Sequence, residues 1–400
     1  MKVLQINCVY NKGSTGKIVS VIHTELQKQG ISSIVCYGRG KKVNEENVYK
    51  TCGEFYSKVN NLLSRISGLM YGGCFFSTNK LISVIKKEKP DVVHLHCLNG
   101  YFVNIYRLIT WLKKSGIKTV LTLHAEFMHT ANCGHAFDCE GWKTGCKSCK
   151  RWKEETHSIF VNRTATSWKK MRRAFKGFDN LTVVSVSPWL MERAKQSPIL
   201  ADKKHCVIYN GLNIDVYKIY DAKELRQKHG LTDEKVIFHV TPSFSSNPEH
   251  IKGGHFVLKI AEQLKNENIK IFVAGDYPKT MNVPSNMIML GAIEDQTLLA
   301  RYYSMADITL LTSKKETFSM VCAESLCCGT PIVGFKAGAP EQIELEDCSD
   351  FVEYGDIEAL KSIILKWLDN KKIKEQEIVG RAKAIYAQEH IIEELLNLYQ

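Results

Sequence analysis

The sequence predicts an α/β protein with two doubly wound, Rossmann-like domains, and three observations support this prediction. Apolar runs rich in β-branched residues alternate with helical patterns along most of the chain, as in parallel sheets built from βαβ units. This alternation stops after Asn210-Gly211, a turn signal, and restarts at VIFHVT (236–241). A chain of 400 residues is also too long for one ordinary hydrophobic core.

The predicted elements follow one another in strand–helix order. In the first half, strands are predicted at 3–9, 32–37, 91–97, 118–124, 181–187 and 205–210, with helices near 15–29, 79–88, 103–115 and 188–197. In the second half, strands are predicted at 236–241, 269–275, 287–291, 307–313 and 331–335, with helices near 254–265, 295–305, 319–328 and from 356 onward.

The domain boundary is predicted in the polar stretch that follows the sixth strand. The N-terminal domain should span 1–216 and the C-terminal domain 217–385, and a last helix at 386–400 is expected to pack back on the N-terminal domain. Ligands of doubly wound sheets bind beyond the carboxyl ends of the strands, so we expect the two domains to face a central cleft.

Composition indicates a cytoplasmic protein. The N-terminus MKVLQINCVY lacks the charged start and cleavage site of a signal peptide, and no apolar stretch approaches the roughly 20 residues that cross a bilayer. In that compartment the 14 cysteines are expected to be thiols or metal ligands rather than disulfides.

The formal charge of +12 is concentrated in one segment, 147–176. Its basic residues are Lys147, Lys150, Arg151, Lys153, Arg163, Lys169, Lys170, Arg172, Arg173 and Lys176, and the aromatic residues Trp152, Phe160, Trp168 and Phe175 lie among them. One interpretation is an anionic partner, such as the inner face of the plasma membrane, a polyphosphate lipid or nucleic acid. The other is a solvated helix with its aromatic side chains in the core.

Two glutamates in the C-terminal domain form the strongest candidate site. Glu316 follows the strand DITLLTS at the point where the next helix begins, and Glu324 lies about two turns along that helix. The backbone N–H groups of 317–320 would point towards a ligand there and suit a diphosphate. We expect this loop and helix to bind a ligand that carries phosphate, sugar and ribose hydroxyls.

The block KKETFSMVCAESLCCGTPIVGF, with LGAIEDQTLLARYYSMADITLLTS before it, resembles the donor motif of the retaining family-4 glycosyltransferases of the GT-B fold. The resemblance implies that Glu324 holds the ribose hydroxyls and that Glu316 contacts the donor sugar near the reacting centre. It also implies that sugar hydroxyls or the distal phosphate are held by the amides of Thr317, Phe318 and Ser319.

The same resemblance implies a hexosyl or N-acetylhexosaminyl transferase that uses a nucleotide sugar and acts on a glycan or a polyprenyl-diphosphate-linked acceptor. Synthesis of cell-surface polysaccharide is the expected role. No Asp-x-Asp triplet occurs in the chain, so no catalytic metal is expected.

Phosphate contacts are predicted in the loop PSFSSNPEHIKGG, which follows the first strand of the C-terminal domain. Lys252 matches the lysine of the family pattern and would neutralise the leaving diphosphate. The family often has an arginine a few residues after the strand, whereas this chain has Ser243 and Ser245. We therefore assign Ser243 to the donor site, where it would contact the donor without the positive charge of the family's arginine.

In the N-terminal domain, Gly13, Ser14, Thr15 and Gly16 follow the first strand. They do not match the P-loop, but they resemble the small-residue loop that faces the donor phosphates in the family. His124 ends the strand KTVLTLH, where a histidine of the family commonly contacts the donor sugar; Ala125 replaces the aspartate that often follows it.

Four cysteines lie close together in the segment 133–149. Cys133, Cys139, Cys146 and Cys149 include a Cys-x-x-Cys pair, which has the spacing of a metal chelate. We expect either a structural zinc ion, with no open position for catalysis, or four unliganded thiols. A similar cysteine-rich insertion occurs in some bacterial members of the family.

Two other classes of protein stay open. Another GT-B enzyme, such as a nucleotide-sugar epimerase or a glycosyl phosphorylase, would share the fold. A zinc-containing nucleic-acid-binding protein would use the cysteines and the basic segment, although two complete α/β domains make it the poorer alternative.

Overall fold

A computed structural model describes residues 1–369 and 375–400 of the chain. The chain divides into two compact units, which comprise Met1–Tyr209 with Ile392–Gln400 and Asn210–Ile391. Each unit contains its own parallel sheet with helices between most successive strands. The prediction of two doubly wound, Rossmann-like domains is confirmed.

The first unit is built on a seven-stranded parallel sheet in the order β3-β2-β1-β4-β5-β6-β7. Its strands are β1 (Lys2–Val9), β2 (Ser32–Arg39), β3 (Val48–Lys50), β4 (Val92–Leu95), β5 (Lys118–Leu123), β6 (Leu181–Ser185) and β7 (Lys204–Val207). Its helices are α1 (Gly13–Lys28), α2 (Glu54–Ser67), α3 (Phe75–Glu88), α4 (Ile105–Ser115), α5 (Phe127–Thr130), α6 (Gly141–Thr144), α7 (Trp152–Thr156), α8 (Thr164–Phe175) and α9 (Pro188–Gln196).

The second unit is built on a six-stranded parallel sheet in the order β10-β9-β8-β11-β12-β13. Its strands are β8 (Lys235–Ser243), β9 (Ile269–Asp276), β10 (Met287–Gly291), β11 (Ile308–Leu311), β12 (Ile332–Phe335) and β13 (Ser349–Val352). The helices are α10 (Lys223–Lys228), α11 (Gly254–Gln263), α12 (Gln296–Met305), α13 (Met320–Cys327), α14 (Pro340–Ile343), α15 (Ile357–Asp369), α16 (Glu375–Tyr386) and α17 (Gln388–Tyr399), and α17 belongs to the first unit from Ile392 onward.

The central strands are apolar because helices cover both faces of each sheet. All four residues of β4 and of β11 are buried, as expected for a parallel sheet that has no solvated face. In the second unit, Ile237, Ile271 and Leu310 from three neighbouring strands pack with Val257 and Ile260 of α11. The periodicity of the sequence follows from this two-sided burial.

Both sheets reverse their strand order at one point, and this reversal decides where a ligand can bind. In the first unit the reversal lies between β1 and β4, and in the second between β8 and β11. The loops that follow such a pair of strands diverge to opposite faces of the sheet and leave a crevice at its carboxyl edge. Lys252 follows β8 and Glu316 follows β11, so both border the crevice of the second unit.

Several short elements are absent from the sequence prediction, and so are the two edge strands β3 and β13 and the longer helix α2. β3 and β13 are short edge strands of three and four residues, too short to show a clear pattern. α2 has a helical apolar pattern, but its apolar side chains lie on the solvent side. In addition, α1 begins at Gly13 rather than near residue 15, so the predicted small-residue loop forms its first turn.

Candidate active site

Lys252 and Glu316 form an ion pair at the crevice of the second unit. The Lys252 Nζ donates to the Glu316 Oε1 at 2.5 Å, and the side chains are 28% and 15% exposed. In a partly buried pair of this kind, the attraction between the two groups offsets part of the hydration that each group loses. The sequence predicted both residues, and the structure brings them together.

Backbone contacts between the two loops hold this ion pair in place. The Thr312 hydroxyl donates to the carbonyl oxygen of Lys252, and the Lys314 N–H donates to the carbonyl oxygen of Ile251. Gly253 has a φ of +65°, and a Cβ there would collide with the carbonyl oxygen of Thr312. Only glycine fits this close approach without strain.

The backbone on the other side of Glu316 is tied to the loop after β12. The Glu316 N–H donates to the carbonyl oxygen of Ala337, and Glu316 bridges Gly338 as a short parallel pair. The carboxylate of Glu341 accepts from the N–H groups of Ala337 and Gly338 at 2.9–3.0 Å. Glu316 is thus held by hydrogen bonds from the backbone of a third loop.

The turn before α13 has an unusual backbone. Ser319 precedes the helix with a φ of +81°, which is rare for a residue with a side chain. Its Oγ is buried beside the Cys322 thiol and makes no hydrogen bond to a nitrogen or oxygen atom of the described residues. Phe318 is buried and packs edge-on against Tyr386, which orients the Thr317–Ser319 turn.

Glu324 is held by two tyrosines from other elements. The Tyr303 hydroxyl donates to the Glu324 Oε2 at 2.9 Å, and the Tyr217 hydroxyl also bonds the carboxylate. Burial and the negative charge of Glu324 together raise the pKa of Tyr217 and of Tyr303. A carboxylate can accept about four hydrogen bonds, so these two tyrosines by themselves do not saturate Glu324.

Sequence reasoning gave no role to Tyr217, Tyr303 or Glu341, although Tyr303 and Glu341 lie in or beside the stretches that carry the resemblance, because their contacts depend on the tertiary structure. Ser243, which it did assign, ends β8 as an exposed residue, and its carbonyl oxygen accepts from the Thr241 hydroxyl. Ser243 therefore borders the crevice of the second unit, at the end of the strand that leads to Lys252.

The predicted small-residue loop of the first unit forms the first turn of α1, and its residues differ in exposure. Gly13 and Ser14 are exposed, and Thr15 is half-buried. Gly16 is buried: its carbonyl oxygen accepts from the Asn11 N–H, and a Cβ there would press on Val9. The absence of a side chain at Gly16 thus serves packing of α1 against β1.

His124 lies at the end of β5 as the outer member of a row of three histidines. Its Nε2 is 3.2 Å from the Nδ1 of His96. The ring centroids of His96 and His94 are 4.0 Å apart, with the ring planes tilted by 36°. His94 bonds the Thr122 hydroxyl through Nε2 and the Tyr399 hydroxyl through Nδ1. Burial lowers the pKa of His94 to about 3 and that of His124 to about 4, so the row is neutral near pH 7.

Glu126, two residues beyond His124, is a buried carboxylate that anchors the cysteine-rich insertion. It accepts from the Arg193 Nε at 2.5 Å and from the Ala136 N–H at 2.7 Å, and His129 lies 3.5 Å away. Burial would raise the pKa of Glu126, but its bonds to His129 and the charge of Arg193 lower it to about 2. Sequence reasoning missed this residue, whose charged partner Arg193 is 67 residues away in the chain.

The four cysteines of the insertion lie near one another as free thiols. Cys133, Cys146 and Cys149 interact electrostatically, as do Cys139 and Cys146, and burial raises the pKa of Cys146 to about 12. Within residues 1–369 and 375–400, no three His, Cys, Asp or Glu side chains are arranged to hold a metal ion. The zinc site stays a prediction.

The basic segment contains a solvated helix with aromatic side chains in the core, as one of the two interpretations expected, and an anionic partner stays a prediction. Trp168 and Phe175 of α8 are buried, whereas Phe160 is 72% exposed. Lys169 and Arg173 lie on the exposed side of α8. None of the helices in the described part of the chain has the length and apolar character needed to cross a membrane.

Two family models match the chain. Residues 17–216, half of the chain, match the model described as Glycosyltransferase Family 4. Residues 221–384 match the model described as Glycosyl transferases group 1. The first match lies in the first unit apart from its last few residues, and the second lies within the second unit.

Individual relatives are distant but cover most of the chain. A glycosyl transferase of Escherichia coli K12 named for colanic acid biosynthesis, WcaC, is 22% identical over the whole of both chains. The N-acetyl-alpha-D-glucosaminyl L-malate synthase of Bacillus anthracis is 25% identical over 80% of this chain and 77% of its own. The structure of Anabaena Alr3699/HepE in complex with UDP matches with a TM-score of 0.67 at 15% identity, covering 100% and 99% of the two chains.

The row of histidines predicts how stability depends on pH. Unfolded His94 binds a proton near pH 6.5, whereas folded His94 does so only near pH 3, so the stability it contributes is complete above pH 6.5 and is lost as the pH falls towards 3. In His94→Gln, the free energy of unfolding should therefore fall less steeply between about pH 6.5 and about pH 5. Urea titrations across this range measure the slope.

Tyr399→Phe is the matched control, because it keeps the imidazole of His94 and removes only its hydroxyl partner. It should lower the free energy of unfolding by about 1 kcal/mol and keep the slope of the unmodified chain. An identical slope in His94→Gln and the unmodified chain would contradict the assignment.

Proposed function

Because the chain belongs to Glycosyltransferase Family 4, we propose that it transfers a sugar from a nucleotide-sugar donor to an acceptor hydroxyl, with retention at the anomeric carbon. The observation that carries this proposal is the ion pair of Lys252 and Glu316 at the reversal of the second sheet. In a doubly wound sheet, this is where a phosphorylated ligand binds. Retention rests on the family resemblance of the donor motif.

The main site residues of the second unit have the following proposed roles. As the bond from the anomeric carbon to the diphosphate oxygen breaks, the acceptor hydroxyl oxygen bonds to that carbon and gives its proton to the leaving diphosphate. The diphosphate leaves with the electron pair, and Lys252 neutralises its growing negative charge. Glu316 contacts the donor sugar and stabilises positive charge at the anomeric carbon. Glu324 accepts from ribose hydroxyls, and the Thr317–Ser319 turn binds sugar hydroxyls or the distal phosphate through its N–H groups.

The first unit contributes neutral groups to the proposal. His124 keeps the role that the resemblance implies, a contact to the transferred sugar, and its lowered pKa suits hydrogen bonding without a charge. Gly13, Ser14 and Thr15 remain candidates for a backbone contact to the donor, because they are not fully buried. The buried Gly16 supports them by letting α1 approach β1.

The donor and acceptor classes are proposed from the relatives. Alr3699/HepE was solved with UDP, which makes a UDP-sugar the first donor to test. The relative named for colanic acid biosynthesis supports a glycan or polyprenyl-diphosphate-linked acceptor in polysaccharide synthesis, and the B. anthracis relative supports N-acetylhexosaminyl transfer. None of these relatives is named as an epimerase, a phosphorylase or a nucleic-acid-binding protein.

We also propose that the chain works in the cytoplasm at an anionic membrane, where a lipid-linked acceptor would be found. The exposed basic side of α8 supports this contact. No catalytic metal takes part in the proposed reaction.

The two members of the ion pair should affect nucleotide binding in opposite directions. Glu316→Gln removes the negative charge beside Lys252, so the nucleoside diphosphate should bind at least as tightly while kcat falls by about a hundredfold or more. Lys252→Gln should weaken binding of the diphosphate and lower kcat. Thermal stabilisation by a series of nucleotides measures binding, and release of the nucleoside diphosphate measures turnover.

The matched control for this pair is Lys336 with Glu353, an exposed ion pair of the same length in the same unit. Glu353→Gln should change neither nucleotide binding nor turnover. Full activity of Glu316→Gln would refute the site assignment.

Glu324→Ala should weaken donor binding by about tenfold or more, because one charge-assisted hydrogen bond to the ribose is lost. Tyr303→Phe keeps the carboxylate and removes only one tyrosine partner, so it should cost stability but little affinity. Calorimetric titration with UDP compares the two variants. Equal affinity of Glu324→Ala and the unmodified chain would remove Glu324 from the site.

A structural zinc ion is proposed at Cys133, Cys139, Cys146 and Cys149 on the basis of their sequence spacing. Binding would require the thiols to move closer together than they lie in the described residues. Purified protein should contain about one zinc per chain, and replacing Cys146 and Cys149 by serine should release it. Cys206→Ser, a free thiol outside the insertion, is the control. Elemental analysis that finds no zinc in the unmodified protein would end this proposal.

A further inference from the structure

The helix α2 turns its apolar side towards solvent. Its exposed large side chains recur at helical spacing and form the α2 stripe, which consists of Phe55 (81% exposed), Val59 (37%), Leu62 (53%), Leu63 (55%) and Ile66 (44%). This is the spacing by which a surface helix normally faces its own core. Contiguous exposed apolar patches of this kind mark interaction sites on proteins.

The opposite side of α2 is polar, buried and fully engaged. The Ser57 hydroxyl donates to the Gly100 carbonyl oxygen at 3.1 Å. Asn60 donates to the Tyr56 carbonyl oxygen and accepts from the Cys74 N–H, and the Ser64 hydroxyl donates to the Leu69 carbonyl oxygen. Gly100 and Cys74 lie outside α2, so rotating the helix to bury the α2 stripe would break the bonds to both, and these bonds set its orientation.

Two neighbouring segments extend the apolar surface. Phe76, 78% exposed at the start of α3, lies with its ring 6.1 Å from that of Tyr56 in α2. On the other side, the loop with exposed Ile159, Phe160 and Val161 is joined to α2, because the Ile159 N–H donates to the Arg65 carbonyl oxygen at 2.8 Å. Three segments therefore present large apolar side chains in one region of the first unit.

A basic groove adjoins this surface between α3 and α4. It has a volume of about 760 Å³ and shares Phe75, the neighbour of Phe76, with the apolar surface. Four basic residues and no acidic residue line it: Lys86, Arg107, Lys114 and Lys170. Trp111 and Tyr106 also line the groove. The Lys170 Nζ lies 5.8 Å from the centroid of the Tyr106 ring.

We propose that the α2 stripe and the basic groove together bind the surface of a bilayer that carries anionic headgroups. Large apolar side chains on a fixed amphipathic helix enter the boundary between headgroups and acyl chains, and basic side chains beside them attract phosphate groups. The groove receives a phosphate-bearing headgroup while the stripe enters the apolar layer. An apolar surface beside a groove whose charged lining residues are all basic is what selects an anionic lipid surface.

This inference deepens the membrane contact proposed above and rests on that part alone, not on the donor site. We place the contact surface on α2, the start of α3 and the loop 158–161 rather than on the exposed side of α8. Lys170 of α8 takes part through the groove. Lys169 and Arg173 contribute long-range attraction only.

Vesicle sedimentation tests the two parts of the surface separately. Vesicles of phosphatidylcholine with and without phosphatidylglycerol are mixed with the full-length chain. Phe55→Ser/Leu62→Ser/Ile66→Ser should lower partitioning into the mixed vesicles by at least about tenfold, since it removes three apolar side chains from the layer. Lys86→Glu/Lys114→Glu should abolish the preference for the anionic vesicles.

The controls are matched by chemistry. Val21→Ser is the control for the apolar variants, because it replaces an exposed apolar side chain on α1 (37% exposed). Lys228→Glu is the control for the charge variants, because it reverses an exposed charge on α10. Both should partition like the unmodified chain. The serine variants replace exposed side chains, so their unfolding temperatures should not fall, and a folded triple variant that still partitions like the unmodified chain would overturn the proposal.

Two further measurements separate the remaining outcomes. Light scattering without vesicles that finds a dimer, which the triple variant converts to monomer, would show a second copy of the chain on this surface and overturn the lipid assignment. Thermal stabilisation by UDP should be the same in the triple variant and the unmodified chain. If UDP did not stabilise the unmodified chain, the donor site would be contradicted, whereas the vesicle result would be unaffected.

Discussion

The candidate site depends on one close approach, between the backbone after β8 and the backbone after β11. The Thr312 carbonyl oxygen leaves no room for a side chain at Gly253, and hydrogen bonds across the gap join the two loops. Lys252 and Glu316 are opposed because their backbones are fixed in this way. An ion pair between two free loops would contribute little and would not be held in one geometry.

The two units carry different kinds of polar group at the carboxyl edges of their sheets. The second unit presents opposite charges at Lys252 and Glu316, with Glu324 held by tyrosines. The first unit presents a row of neutral imidazoles that ends at His124. Charged groups suit an anionic ligand such as a diphosphate, whereas neutral donors and acceptors suit hydroxyl groups.

Two helices of the first unit show why an amphipathic pattern does not reveal which side is buried. α8 buries Trp168, Met171 and Phe175 and exposes its basic side, as surface helices usually do. α2 has the same periodicity but buries serine and asparagine and exposes its apolar side. The difference arises from the partners: Gly100, Cys74 and Leu69 offer backbone groups to α2 that only polar side chains can satisfy.

The sequence by itself determined the α/β class, the two-domain plan and the positions of the main strands, because two-sided burial in a parallel sheet leaves continuous apolar runs. It also located Lys252, Glu316 and Glu324, since each lies within one short motif. The tertiary structure alone decided which charges meet and which residues support them: Tyr303, Tyr217 and Glu341 reach the site from other elements, and Glu126 meets Arg193 across 67 residues of chain. Local patterns cannot encode such contacts, because they depend on which loops the strand order brings to the same edge of a sheet.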